Sequence, residues 1–289
     1  MHHLASGKVR EIYDLDDEHL LIITSDRISA FDVVFDEPIN DRGRILTALT
    51  DYWVGKIATD VPHHLVTTDL PEAAADIPDA IGRTMVVRKA QILPVEFIVR
   101  SRLAGSGWKE YQANGTLHGA VLPEGLALGS RLPRPVLTPS TKADAGEHDV
   151  NLSLDEAADL IGWGVLNEAE DLALTLYERG AAWAEQKDLI LADTKFEFGY
   201  IEGHMSVCDE ILTPDSSRYW PSRGWELGET PPAFDKQILR DWLETLDWDK
   251  SPPPPSLPHE IVDATRGRYI DVYERLTGKA FSDLAGVAG

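Results

Sequence analysis

Between residues 189 and 200 the chain reads LILADTKFEFGY, an apolar run into which three charged side chains are set at every second position. In an extended strand alternate residues face opposite sides, so Asp193, Lys195 and Glu197 share one face while Thr194, Phe196 and Phe198 share the other. The aromatic face predicts core. The charged face must look into a polar cleft, because three charges at successive pleats are not buried without partners. Residues 200–210 (YIEGHMSVCDE) read as the turn and return strand of a hairpin, with Gly203 able to take the positive φ of a short loop. A three-residue loop of Glu202, Gly203 and His204 puts Glu197 directly opposite Asp209. Opposed Cβ atoms lie about 4.5–5.5 Å apart. Two carboxylates at that spacing suit a shared Mg²⁺, which is held by one or two carboxylates plus substrate phosphates. Glu197 and Asp209 are therefore candidate metal ligands of a nucleotide site, the plain alternative being a solvated strand face with an incidental acidic pair.

The rest of the chain is read by the same periodicities. SGKVREIYD (6–14) and HLLIITSD (19–26) predict two strands joined by an acidic turn. Gly7-Lys8 resembles a phosphate-covering loop in a hairpin, although a Gly-Lys pair is more often just a turn, and no Walker A motif is present. DRISAFD (26–32) is a polar loop broken by apolar residues. Residues 43–57 predict a helix, with Ile45, Leu49, Trp53 and Ile57 on one side, and residues 60–80 a loop. Residues 84–103 predict two apolar strands separated near Gln91 to Pro94, a connector suited to stacking a nucleotide base or to an ordinary strand junction. Arg100 and Arg102 follow on alternate positions, and AGSGW (104–108) opens a helix whose free N–H groups suit an anion. Residues 123–149 are Pro-rich and predict loop, ending in TPSTKADAGEHD, where Ser140, Thr141, Lys142, Asp144, His148 and Asp149 are candidates for a cleft or for a solvated loop. His148 has no partner at metal-ligand spacing, which favours a structural role. Ser153 and Glu156 form a capping box, and residues 165–187 predict a long scaffold helix. ILTPDSSRYW (211–220) predicts a turn presenting Arg218, whose planar fork suits carboxylate or phosphate. Residues 234–246 predict a helix with Lys236 and Arg240 one turn apart. PPPP at 252–255 is a stiff linker before a terminal helix.

Composition narrows the partners. At 289 residues the chain has length for about two domains, here 1–93 as a β-rich lobe and 94–289 as a larger α+β lobe. No apolar run reaches the roughly 18 residues of a membrane span, and the N-terminal residues do not read as a signal peptide, so a cytoplasmic location is expected. One cysteine, Cys208, excludes an internal disulfide. Lys and Arg number 27 against 49 acidic residues, a net charge of −22 that repels nucleic acid and anionic membrane. Any anionic ligand must be gathered by a local basic cluster. No obligate protein partner is evident.

Seven segments, GKVREIYD, SDRISAFD, ILPVEFIVRSRLAGSGWKEY, LTPSTKADAGEHD, LADTKFEFG, DEILTPDSSRYW and FDKQILRDWL, together resemble the SAICAR synthetase family, in order and over most of the chain. The resemblance implies an α+β, kinase-like ATP-binding fold, with an N-terminal antiparallel sheet lobe, a larger lobe and the ATP cleft between them. It implies an ATP- and Mg²⁺-dependent ligase of purine biosynthesis that condenses carboxyaminoimidazole ribonucleotide with L-aspartate, giving SAICAR, ADP and phosphate.

By that resemblance Lys8, Arg10, Ile92 and Lys142 serve ATP, Glu197 and Asp209 the metal, and Ser29, Arg100, Ser106, Arg218, Lys236 and Arg240 the substrates. Lys195, Asp193 and Asp149 become catalytic candidates, Asp149 or Asp193 as the base for the aspartate amine. Two other classes stay open. A small-molecule kinase would use a similar ATP lobe, but the His-Arg-Asp and Asp-Phe-Gly signatures of protein kinases are absent. A non-catalytic nucleotide sensor would usually lack the metal carboxylates, and both are present.

Overall fold

Two five-stranded sheets, antiparallel throughout, organise the computed structural model, which describes residues 1–142, 150–284 and 286. The chain opens with β1 (His2–Ser6), β2 (Arg10–Asp14) and β3 (His19–Thr24), then a small hairpin of β4 (Ser29–Ala30) and β5 (Val33–Val34). Helix α1 (Arg42–Ile57) follows, then β6 (Leu65–Thr67) and β7 (Thr84–Arg88). The first sheet has the order β1-β2-β3-β7-β6. Next come β8 (Gln91–Arg102), α2 (Gly105–Asn114), the short pair β9 (Thr116–Leu117) and β10 (Ala120–Val121), and β11 (Arg131–Thr141). Helices α3 (Leu154–Ile161) and α4 (Trp163–Glu185) lead to β12 (Leu189–Ile201), β13 (His204–Cys208) and β14 (Ser217–Pro221). Helices α5 (Gln237–Glu244) and α6 (His259–Thr277) close the chain. In the second sheet β12 is central, paired with β8 along its length, with β14 near its start and with β13 near its end; β11 lies on the far side of β8. The architecture is α+β, as expected.

Alternation along β12 does what it predicts. Phe196 and Phe198 are fully buried and pack with Phe97, ring centroids 5.1 Å apart for Phe97 and Phe198, in one large core shared with α1, α4 and α6. Burying each ring is worth about 1.5–3 kcal/mol, so the aromatic face fixes which side of the sheet meets the helices. Ile45, Leu49, Trp53 and Ile57 of α1 point into the same core. Tyr52 and Trp183 both donate to the Leu276 carbonyl, fastening α1 and α4 to α6. The Ser153–Glu156 capping box opens α3.

Five expectations are corrected. The hairpin loop is two residues, Glu202 (φ 51°) and Gly203 (φ 82°), so Glu197 pairs with Cys208, not Asp209. Two successive positive φ values are the type I′ geometry that matches strand twist, and here a Glu accepts one of them. The break between β7 and β8 falls at Lys89-Ala90, leaving Gln91 to Pro94 inside β8. Residues 131–141, expected to be loop, form a sheet-edge strand, where Pro133, Pro135 and Pro139 are tolerated because a missing N–H can face away from the ladder. Residues 217–221, expected to be a turn, form β14, and residues 65–67, in the expected 60–80 loop, form β6. Asp149, Asp144 and His148 lie outside the described residues.

Candidate active site

Cross-strand register assembles a charged face from the second sheet. Glu197 stands opposite Glu96, Lys195 opposite Ile98, and Asp193 opposite Arg100 on one side and Arg218 on the other. Directly opposed side chains share a face, so three strands deliver these groups together. Lys195 Nζ donates to Glu96 at 2.5 Å and reaches Glu197 at 3.3 Å, while Lys142 also pairs with Glu197. Burial works against the Lys195 ammonium, but Glu197, Glu96 and Asp209 outweigh it and hold its pKa well above the usual lysine value. Behind this row, burial together with Glu197 and Asp209 pushes the Cys208 thiol up to about 12, which makes it a packed, unreactive side chain.

Asp209 reaches the same neighbourhood by another route. It follows the end of β13 with φ 60°, a left-handed turn that Asp tolerates better than most residues. Its carboxylate pairs with Arg10 of β2, whose other arm holds Glu210 at 2.9 Å. Burial raises the Asp209 pKa, but Arg10 and Lys195 more than offset it and keep the group ionised. Lys195 is thus felt by Glu197 and Asp209 alike, although the two are not cross-strand partners. Among the described residues no group of three or more His, Cys, Asp and Glu side chains is gathered for a metal ion.

The expected substrate residues converge. Ser29, Ser106, Arg218, Lys236 and Arg240, drawn from the β4–β5 hairpin, α2, β14 and the start of α5, line a single cavity of about 720 Å³. Arg100 supports its wall from below: Nη2 donates to Ser106 Oγ at 3.2 Å, Nε to Thr138 at 2.9 Å and Nη1 to Asp193 at 3.3 Å. Asp193 also accepts from Arg218 at 2.6 Å, so this buried carboxylate lies between two guanidiniums. Gly105 (φ 53°) begins α2 against Arg218; a Cβ there would come within 2.6 Å of Nη2. Only glycine allows the helix start and the guanidinium to meet.

On the other flank, Lys8 lies between β1 and β2 and pairs with Asp32 at 2.6 Å. Ile92 is exposed near the start of β8. Gly199 of β12 lets β8 approach, since a Cβ there would sit 2.9 Å from the Gln91 carbonyl oxygen. Arg10, placed with the nucleotide residues by resemblance, is held between Asp209 and Glu210.

Sequence reasoning missed three groups. Glu96 was signalled by its spacing of four from Arg100 on one strand. Asp215 is buried and binds Arg42 at 2.5 Å, Tyr269, and Lys236 at 3.5 Å. Burial pushes its pKa up, yet Arg42 and Lys236 pull it far below the usual carboxylate range. Asp26 accepts from the Asp41 and Gly43 amides at the start of α1 and pairs with Arg83, which gives the DRISAFD segment a structural anchor. Neither of these aspartates had a partner visible within its own segment.

A family model described as SAICAR synthetase matches residues 3–255. The chain is 51% identical over 276 residues to the phosphoribosylaminoimidazole-succinocarboxamide synthase of Syntrophotalea carbinolica, covering 94% of this chain and 93% of that one. It is 46% identical over 278 residues to the enzyme of the same name from Maridesulfovibrio salexigens, covering 95% and 93%. Among solved structures, the SAICAR synthase of Saccharomyces cerevisiae complexed with SAICAR superimposes with a TM-score of 0.86 at 39% identity, covering 97% of this chain and 96% of that one. A SAICAR synthetase in complex with ADP shares the fold, with a TM-score of 0.71 at 24% identity and coverage of 96% and 98%.

Proposed function

This chain belongs to the SAICAR synthetase family, and from that premise we propose that it condenses carboxyaminoimidazole ribonucleotide with L-aspartate, using ATP, to give SAICAR, ADP and phosphate in purine biosynthesis. The observation that carries the reading is the convergence of Ser29, Ser106, Arg218, Lys236 and Arg240 on one cavity beside the Lys195 row. A protein of net charge −22 gathers anionic substrates only where cations are concentrated.

The reaction sets the tasks. A carboxylate is a poor acyl donor because oxide would have to leave, so its oxygen must first be phosphorylated or otherwise activated before an amine attacks. Arg218, Lys236 and Arg240, with Ser106 at the α2 start, bind the phosphate and carboxylate of the ribonucleotide. Asp193 acts as a positioning residue: with both neighbouring guanidiniums on its Oδ2 it orients Arg100 and Arg218. That engagement disfavours Asp193 as the amine's base. Lys195 offsets negative charge between the carboxylates and the transferring phosphoryl group.

We assign ATP to the crevice between the lobe of residues 1–93 and that of 94–289, with Lys8 and Lys142 toward the phosphates and Ile92 toward the base. Glu197 and Asp209 would hold Mg²⁺, with triphosphate oxygens completing its shell. The donor set fits, since both carboxylates already act on Lys195 and two carboxylates plus phosphates is the usual complement for this ion. Bound there, Mg²⁺ would spread the charge of the triphosphate. An ADP-release assay with each substrate omitted in turn tests the proposal: release needs ATP, Mg²⁺, ribonucleotide and aspartate together. Equal steady release without aspartate would indicate phosphoryl transfer without ligation and sink it.

A further inference from the structure

Strand β8 carries Arg100 to the substrate site, and two residues later it carries Arg102 to a different cavity, of about 500 Å³, beside α4. The ladder between β8 and β11 slips between Arg131 and Val136, and beyond the slip Arg102 pairs with Arg131. Arg134 lines the same cavity. These three guanidiniums form no ion pair among the described residues, whereas Arg10, Arg42, Arg83, Arg100 and Arg218 each hold a carboxylate. In a chain with 49 acidic against 27 basic side chains, a cluster of unpaired arginines runs against composition.

The site is built, not merely charged. Arg102 is half-buried and makes one long hydrogen bond, Nη1 to the Gly129 carbonyl at 3.4 Å. Burial first, and then the Arg131 charge, lower its pKa, as expected for a cation without its counter-ion. Tyr177 and Ser101 also line the cavity, the Tyr177 hydroxyl donating to Ser101 Oγ at 2.6 Å. Glu178 and Glu185 of α4 also line it without closing an ion pair on any of the three arginines. Pro133, Pro135 and Ile190 add an apolar wall.

We propose that this cavity is a second anion site, which takes a small organic phosphate: its phosphoryl group is gripped by Arg102, Arg131 and Arg134, and its less polar body rests on Pro133, Pro135 and Ile190. Three forked cations suit a dianionic phosphoryl group, which accepts bidentate bonds from more than one side, better than a lone carboxylate. The site is separate from the ligase reading and stands or falls without it.

The test is calorimetric titration with phenyl phosphate at low ionic strength, where screening is weakest. Arg131 and Arg134 are exposed, so the double variant Arg131→Gln/Arg134→Gln folds normally. The expected result is a binding event, beside any in the ribonucleotide cavity, that weakens roughly tenfold or more in this variant, with ADP affinity unchanged. Arg131→Lys/Arg134→Lys should also weaken it, because charge is kept and the fork lost. An unchanged isotherm in the Gln variant overturns the proposal. So does full retention in the Lys variant, which would reduce the site to diffuse attraction.

Discussion

Arg218 donates to Asp193 at 2.6 Å, lies against Gly105 and faces the substrate cavity, so its fork is engaged from two sides. Arg218→Lys keeps the charge and loses that geometry. Ribonucleotide affinity should fall by about tenfold or more while ATP affinity holds, as measured by titration with each ligand. Equal losses would assign Arg218 to the nucleotide or to the fold. Glu197→Gln keeps shape and removes one charge from the proposed metal pair. Turnover should drop about a hundredfold or more. Thermal stability should barely change, since Lys195 retains Glu96 at 2.5 Å; a variant with full activity would remove Glu197 from the metal site. The charged row of Asp193, Lys195 and Glu197 was legible because period-two alternation is local. Asp215 was not, because its partners Arg42 and Tyr269 lie far away in sequence, and only the fold brings them to it.

Element by element, the reading succeeded where one face was apolar and erred where backbone conformation decided. Helix α1 and strand β12 follow from periodicity alone. Register in the β12–β13 hairpin hung on whether Glu202 accepts a positive φ, and the edge strand β11 was hidden by prolines that an interior strand would reject. The loop between β13 and β14 is fixed by Asp215, which ties it to α1 through Arg42, to α6 through Tyr269 and to Lys236 just before α5. Its folded pKa is depressed, so its contribution is present above the unfolded carboxylate value of about 4 and is lost as pH falls below it. Asp215→Asn strands buried Arg42 and should cost about 3–5 kcal/mol at pH 7. The gap between wild type and variant in urea unfolding should narrow from pH 4 to pH 3. A gap that stays constant with pH would mean the loss is steric.

At the scale of the whole molecule, two sheets meet where Arg10 of the first grips Asp209 and Glu210, which follow β13 of the second. That contact was invisible in the sequence, where Arg10 is one basic residue in a strand and the acidic pair lies almost two hundred positions later. All three groups are partly buried, and the Arg10 pKa is raised because the two carboxylates outweigh the cost of its desolvation. Burial already pushes the Glu210 pKa up against the pull of Arg10, and loss of that cation would push it further. Arg10→Gln leaves two like charges facing each other with Lys195 alone to offset Asp209, at a cost of about 3–5 kcal/mol. The same change releases Asp209, one of the two proposed metal ligands, while Arg100, Arg218 and the substrate cavity keep their partners. The variant should therefore melt earlier and bind MgATP about tenfold or more weakly, with ribonucleotide affinity near that of the unaltered protein, as read by calorimetry with each ligand below the melting transition. Parallel loss of both affinities would show that Arg10 acts only by holding the fold. An unchanged melting temperature would show that the carboxylates find other partners, and the junction between the sheets would then rest elsewhere.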